Sequence, residues 1–462
     1  MLRDHVQDLL QRVPLLPESE ARLRLARAGW TQREHDAAGR GLNIQPGEED
    51  DGWRSPDPVT LGDGTRLQLY KDGEAAQAAI RAIEKAQHRI LLEVYIWPGD
   101  ETGRRFSELL AQRASEGVRV FVIYDGFGCL LTSRSIFDTM SRAGANVVEF
   151  HPLNPWRTRW GWRPANRDHR KLLVVDDDVA GIGGLNIGNR YAGQWVAPEA
   201  EVDPETMWRD AGVGIVGPSA GMFAEAFANT WRYTVRRGPI RRTLFSRHLD
   251  LAKPAKGRRL GKSREIGTPE PDEGPTGVLK HGRDLGCLAS APTLSSPLRP
   301  FLQQMISQAR QSILLTVAYF APDDALLEAL SAAAARGVKV RLMLAGRSDV
   351  KLLVLAGRAF YKRLLDAGCE IWERQHAMLH QKSIVVDGEL VVLGSTNLDY
   401  RSIEFNLELS AVVRSEAFAG HVASMFRHDR EFARKIHASS WRRRPFRDKA
   451  IQWLVSRLRY TL

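Results

Sequence analysis

Residues 380–397 read HQKSIVVDGELVVLGSTN. A histidine, a lysine two positions on, an aspartate five beyond it and a Gly-Ser-x-Asn close lie along an apolar, β-branched run. Side chains at i and i+2 of a strand share a face, so the pattern predicts that His380 and Lys382 project together and reach one anion. Ile384, Val385 and Val386 predict a strand, Asp387-Gly388 carries turn chemistry, and 390–393 predict a second strand ending at Gly394. The stretch is a hairpin with functional groups at its ends.

The same pattern stands 380 − 169 = 211 residues upstream as HRKLLVVDDDVAGIGGLN, with His169, Lys171, Asp176, Gly183, Gly184 and Asn186 at identical offsets. A single copy could be a surface strand with a stray histidine; two full copies make that reading untenable. The surroundings repeat as well. In the first half, helices at 74–87, 103–116 and 135–143 alternate with strands RILLEVYIW, VRVFVIYD and NVVEF. In the second, helices at 300–311, 324–336 and 358–367 alternate with SILLTVAYF, VKVRLMLA and EIWERQ. This alternation predicts an α/β fold of two similar halves, each a mixed sheet flanked by helices. The expected organisation is an N-terminal helix and linker (1–58), a first domain (59–232), a basic linker (233–284), a second domain (285–436) and a basic amphipathic helix (437–462). The triple Asp176 to Asp178 suggests a metal cluster, but alternation on a strand separates those side chains and no metal site is expected.

The paired motifs resemble those of the phospholipase D superfamily, over roughly 57 to 435 of the chain. That resemblance implies two phospholipase D-like α/β/α domains around a pseudo-twofold axis, with both motifs meeting at the interface. Phosphodiester exchange needs a nucleophile, a proton donor for the leaving alkoxide and positive charge on the phosphoryl oxygens. By family analogy His169 is the nucleophile and His380 the acid that later acts as base. Lys171 and Lys382 supply fixed cations, and Asn186, Asn397 and Ser395 neutral donors; no cofactor is needed. Asp176 and Asp387 complete the catalytic motifs and are expected to tie strands or turns together. The family places a carboxylate after each Gly-rich close, which gives Glu408 and, departing from the usual glutamate, Asp210. Gly184 stands where the second copy has Ser395 and so lacks a hydroxyl.

The finer resemblance is to bacterial phospholipase D-type cardiolipin synthases, particularly the short form without transmembrane helices. It rests on Glu93-Val-Tyr95-Ile96, Tyr124-Asp125-Gly126, Tyr319-Phe320-Ala-Pro322-Asp323, Gly346-Arg-Ser-Asp349, Met378-Leu379-His380 and the segment from Gly394 to Ser402. It implies phosphatidyl transfer between phospholipids: cardiolipin from two phosphatidylglycerol molecules with release of glycerol, through a phosphohistidine. A phospholipase D-type hydrolase and a nucleic-acid phosphodiesterase remain alternatives. Nucleases of the superfamily usually carry one motif per chain, and the tyrosyl-DNA phosphodiesterases lack the motif aspartate. A silent lipid-binding module fits two intact motifs poorly.

Composition is compatible with a lipid partner. The 462 residues carry a net charge of +11, which suits anionic surfaces of either membrane or nucleic acid. Cys129, Cys287 and Cys369 form neither a C-x-x-C nor an even framework, so inert thiols in a reducing compartment are expected. No run approaches a membrane span, and peripheral attachment at the cytoplasmic face of an anionic membrane follows. Two segments pair aromatics with arginines: Trp156, Arg157, Arg159, Trp160, Trp162 and Arg163 before the first motif, and the C-terminal helix. In that helix Phe446, Ala450, Trp453, Leu454, Leu458 and Leu462 recur at helical spacing, flanked by Arg442, Arg443, Arg444, Arg447, Lys449, Arg457 and Arg459. The plain alternative is a helix docked on the second domain with its basic face in solvent.

Overall fold

The computed structural model describes residues 53–154, 165–198, 207–237, 278–291 and 296–457. The expected N-terminal helix, Trp156, Trp160, Trp162 and their arginines, most of the linker, and Leu458 and Leu462 lie outside those residues.

In the first half the strands are β1 (Val59–Thr60), β2 (Arg66–Lys71), β3 (Arg89–Val94), β4 (Arg119–Asp125), β5 (Asn146–Phe150), β6 (Leu172–Val175), β7 (Val179–Gly183), β8 (Trp208–Arg209) and β9 (Ala211–Val216). Its helices are α1 (Glu74–Glu84), α2 (Glu101–Ser115), α3 (Arg134–Arg142), α4 (Asn189–Val196) and α5 (Gly221–Arg237). Eight strands form one sheet in the order β1-β2-β9-β7-β6-β3-β4-β5. Pairing is parallel across β3, β4 and β5, where helices make the crossovers, and antiparallel elsewhere. Every residue of β3 and β6 is buried, as mid-sheet strands covered on both faces are.

The second half repeats the plan with β10 (Val278–His281), β11 (Leu285–Ala289), β12 (Ser312–Val317), β13 (Phe320–Ala321), β14 (Lys339–Ala345), β15 (Glu370–Arg374), β16 (Met378–Leu379), β17 (Ser383–Val386), β18 (Leu390–Gly394), β19 (Leu398–Asp399), β20 (Leu409–Arg414) and β21 (Ala433–Ile436). Its helices are α6 (Leu298–Gln308), α7 (Asp324–Ala335), α8 (Lys351–Asp366), α9 (Tyr400–Glu404), α10 (Glu416–Asp429), α11 (Ala438–Arg442) and α12 (Phe446–Arg457). Nine strands form the second sheet, ordered β10-β11-β20-β18-β17-β12-β14-β15-β21. The fold is thus two mixed sheets flanked by helices, as the repeat predicts.

One hydrophobic cluster joins the halves. Phe223, Phe227 and Trp231 of α5 and Phe418, Val422 and Met425 of α10 pack together with Leu91 and Val174 of the first sheet and Val391 and Leu409 of the second. Helices α5 and α10 therefore lie between the sheets, while α1–α4 cover the outer face of one and α6–α8 that of the other.

Several boundaries differ from the sequence reading. Strand β3 stops at Val94, before the predicted end at Trp97, so the chain turns at Tyr95. Helix α8 begins at Lys351, not 358, and runs through Gly357, where a Cβ would meet the Phe320 carbonyl oxygen at 2.5 Å; this glycine marks close helix packing, not a helix end. Helix α5 continues to Arg237 and residues 278–281 pair with β11, both within the stretch expected to be linker. The edge strand β21 has too short an apolar run to be read from sequence.

Candidate active site

The hairpin expected from each motif is present, but the histidines and lysines precede the strand. The strands begin at Leu172 and Ser383, one residue after each lysine. Turn residues Asp176, Asp177, Asp387 and Gly388 take positive φ of 51°, 65°, 52° and 71°, in loops that span 176–178 between the paired Val175 and Val179 and 387–389 between the paired Val386 and Leu390.

What places the histidines is a pair of bridges between the halves. His169 N–H donates to the Leu407 carbonyl at 2.9 Å, and Leu407 N–H to that of Arg167 at 2.8 Å. Symmetrically, β16 pairs in parallel with β8, and His380 N–H donates to the Arg209 carbonyl at 2.8 Å. Leu407 and Arg209 each precede the carboxylate of their half. Each imidazole therefore meets the carboxylate of the other half. His169 Nδ1 lies 3.0 Å from both oxygens of Glu408, and His380 Nδ1 lies 2.6 Å from Asp210 Oδ2.

The two pairs are chemically unequal. Glu408 receives the Ser395 hydroxyl and the Asn406 amide at 3.2 Å. Burial works to raise its proton affinity, but His169, Lys171 and Ser395 hold it below the usual carboxylate range. Asp210 has the Ala211 N–H at 2.8 Å and faces Gly184, where a Cβ would meet Asp210 Oδ1 at 2.3 Å. Burial pushes Asp210 up to about 7, against the opposing pull of Lys382. Burial also lowers His169 to about 4 and, with Lys382 and Lys171, holds His380 well below the ordinary imidazole value. The first pair therefore favours imidazole with carboxylate, whereas burial of Asp210 favours keeping one further proton in the second, across a short contact. A nitrogen base and a proton donor at one site are what phosphoryl exchange asks for.

Lys171 and Lys382 fold back alike, Nζ donating to the carbonyl of His169 (2.6 Å) and of His380. Burial first lowers them to about 7 and about 8. Asn186 accepts from Ile96 N–H at 3.1 Å and donates to the Tyr191 hydroxyl at 2.9 Å, whereas the buried Asn397 Oδ1 has no partner among the described residues. Aromatic rings wall both histidines: Tyr95 is 5.0 Å from His169, and Trp208, Tyr191 and Tyr319 are 4.5, 5.7 and 6.3 Å from His380, centroid to centroid.

Asp176 and Asp387, grouped with the catalytic residues as members of the motifs, take the tying role expected of them and lie away from the histidines. Asp176 accepts from the N–H groups of Gln87, His88 and Arg89 at 2.7–2.8 Å, and Asp387 from those of Arg310, Gln311 and Ser312 at 2.7–2.9 Å. Both sit in the hairpin turn, at the far end of the strand from the histidine, and fasten that turn to the start of the neighbouring strand. The triple Asp176 to Asp178 also lies on this turn, not on a strand, with Asp177 paired to Arg89.

Spacing left other residues unmarked. Arg170 donates to the carbonyls of Glu408 (3.2 Å) and Ser290 (2.7 Å) and to Thr230 Oγ1 (2.7 Å), so it ties the Glu408 strand to the first half. Trp208 and Tyr191 wall His380. Their only sequence signal is proximity to Asp210 and to Asn186.

In the C-terminal helix, Gln452 and Val455 are buried, and Val455 and Ile451 pack against Leu353 and Ala356 of α8. The face assigned from sequence points the other way: Phe446 is 84%, Trp453 57% and Leu454 61% exposed. Arg457 stacks over Trp453 at 4.9 Å.

The family model described as "Cardiolipin synthase, PLD-like domain" matches residues 79–196 and 302–430. A cardiolipin synthase of Geobacillus thermodenitrificans is 32% identical over 405 residues, covering 87% of this chain and 72% of the relative. Cardiolipin synthase A of Pseudomonas syringae pv. syringae is 32% identical over 373 residues, 80% of this chain and 70% of that one. Among solved structures, the crystal structure of phosphatidylserine synthase from Haemophilus influenzae Rd KW20 superposes with a TM-score of 0.61 at 14% identity, covering 87% of this chain and 94% of its own, a likeness of fold. No helix among the described residues is long and apolar enough to cross a membrane.

Proposed function

The chain belongs to the cardiolipin synthase family of PLD-like domain proteins, and from that premise we propose that it transfers a phosphatidyl group between membrane phospholipids, joining two phosphatidylglycerol molecules into cardiolipin and glycerol. The observation that carries this reading is the unequal pair of histidine and carboxylate couples, one on each side of a single site. His169, with Nδ1–H donated to Glu408, turns an unprotonated Nε2 toward substrate. It attacks phosphorus while the P–O bond to glycerol breaks, and the departing oxygen takes a proton from the His380·Asp210 couple. The hydroxyl of a second phosphatidylglycerol then attacks the phosphohistidine, its proton returns to His380, and the P–N bond breaks. Lys171 and Lys382 supply positive charge to the phosphoryl oxygens, with Asn186 and Asn397 as neutral donors.

The site works at a membrane surface in this reading. Phe446, Trp453 and Leu454 offer an outward apolar face set among Arg443, Arg447 and Arg457, the composition that seats a helix at an anionic interface. On the His169 side, the exposed Phe127, Leu130 and Leu131 stand on the loop that packs against Tyr95. Purified protein incubated with labelled phosphatidylglycerol vesicles should yield cardiolipin and glycerol, and acid-labile label should accumulate on the wild type and not on His169→Ala. Phosphatidic acid as the main product would assign a hydrolase, and no product at all would defeat the reading.

A further inference from the structure

The two halves diverge beside the site in one loop. Strands β4 and β14 have equal length, and Gly126 and Gly346 follow each with matching hydrogen bonds, Gly126 N–H to the Phe150 carbonyl at 2.9 Å and Gly346 N–H to that of Arg374 at 3.0 Å. Counting on, the buried Cys129 of the first loop corresponds to Asp349 of the second. Cys129 Sγ donates to the Tyr95 carbonyl at 3.4 Å. Asp349 is exposed and its Oδ1 is saturated: the Tyr319 hydroxyl donates at 2.6 Å, Ser348 Oγ at 3.1 Å and Val350 N–H at 3.0 Å. Asp349 Oδ2 has no hydrogen-bond partner among the described residues. Tyr319 is one of the three rings around His380, and the Asp349 charge acts on Lys382 and on Tyr191, another of those rings. A carboxylate is thus anchored, by three donors on one oxygen, to a ring that walls the proton donor.

We infer that Asp349, positioned by Tyr319, is the acceptor-alcohol subsite, and that it selects a polyol. This rests on the phosphatidyl-transfer reading and names the part of that site which reads the acceptor. The incoming hydroxyl must lie beside His380 to give up its proton as its oxygen bonds phosphorus and the bond to His169 Nε2 breaks. A second hydroxyl on the next carbon then reaches Asp349 Oδ2 and donates to it, a bond that water and a mono-alcohol cannot make while reacting. An ammonium headgroup is the other partner a carboxylate could take, but Lys171 and Lys382 at the same site disfavour a further cation.

The test uses the full-length protein, phosphatidylglycerol vesicles as donor, and 1,2-propanediol, 1-propanol or ethanolamine at equal concentration as acceptor. The readout is the ratio of phosphatidyl products, which is independent of total turnover. The wild type should favour 1,2-propanediol over 1-propanol. Asp349→Asn keeps an oxygen for Tyr319, Ser348 and Val350 but replaces the open acceptor by a donor; the preference should fall at least about tenfold. Tyr319→Phe, which frees the carboxylate to swing away, should reduce it in the same direction. An unchanged ratio in Asp349→Asn, no preference in the wild type, or a change confined to ethanolamine would overturn the inference and leave phosphatidyl transfer standing. A wild type that transfers to no alcohol would remove both.

Discussion

At the scale of the residue, one hydroxyl accounts for much of the difference between the two catalytic couples. Ser395 donates to Glu408; its counterpart, Gly184, gives Asp210 nothing. The rate should therefore follow a bell-shaped pH profile with signs fixed by the couples. As pH falls toward about 4, His169 gains a proton and loses its lone pair, so the acid limb belongs to the nucleophile. As pH rises through about 7, the proton held by His380·Asp210 is lost and Lys171 loses its charge in the same range, so the alkaline limb belongs to the acid and this cation together. Ser395→Ala removes a donor that favours ionised Glu408, so the His169·Glu408 couple should hold its proton more tightly. A bond to a charged group is worth about 1.5–3 kcal/mol, so the acid limb should move upward by about one to two pH units; a limb that stays put removes Ser395 from this role. Asp210→Ala should cost about 10²–10⁴ in kcat, the usual contribution of a positioned acid–base group, and shift the alkaline limb; an unchanged rate and profile would exclude it.

At the scale of the element, the catalytic pairing comes from two short bridges between halves, Asp168 with Leu407 and β8 with β16. The hairpins, the helix–strand alternation and the motif residues were legible because each is a local pattern of period, turn chemistry or repeated spacing. The pairing of His169 with Glu408, 239 residues apart, was not, since no spacing within a half records which carboxylate of the other half it meets. The true start of α8 was hidden by Gly357, whose role is a contact with Phe320 rather than a break in the chain's own propensity. The C-terminal helix was half legible: its amphipathic spacing identified one apolar face, while Ile451 and Val455, which dock it on α8, belong to another. Because Phe446 and Trp453 lie outside that docking face, Phe446→Ser with Trp453→Ser should leave unfolding unchanged while weakening binding to phosphatidylglycerol vesicles. Burying such a side chain is worth about 1.5–3 kcal/mol, so the double variant should bind at least about a hundredfold more weakly. Raising salt should weaken the wild type further by screening the arginines. Co-sedimentation equal to wild type would defeat the membrane assignment of this face.

At the scale of the molecule, the halves are two copies of a plan but one physical unit, because the core around α5 and α10 draws on both sheets and because buried ion pairs cross between them. Arg209 of the first half makes a two-pronged contact with Asp429 of α10, Nε to Oδ1 at 2.8 Å and Nη2 to Oδ2 at 3.0 Å, and Arg374 lies 3.8 Å from the same carboxylate. All three side chains are at most 1% exposed. Arg209 also carries the carbonyl that receives His380 N–H and precedes Asp210, so this pair holds the acid couple to the rest of the core. Removing one member of a buried pair leaves the other charged and desolvated, at a cost of about 3–5 kcal/mol. Asp429→Ala takes this carboxylate from both arginines, Arg209 keeping its 3.2 Å contact with Asp72, so the cost should lie at the lower end of that range. We therefore expect a urea unfolding curve displaced by about that free energy, with a single transition seen alike by tryptophan fluorescence and by circular dichroism, since the shared core gives neither half a separate one. Replacing both charges by apolar residues, Arg209→Met with Asp429→Leu, should recover part of the loss in stability, because no unpaired charge remains between Arg209 and its partner. It should not restore turnover, because Arg209 is what fixes the strand that brings Asp210 to His380. Two separate transitions in the wild type would contradict the shared core, and a double variant with full turnover would show that the acid couple is held by something other than this pair.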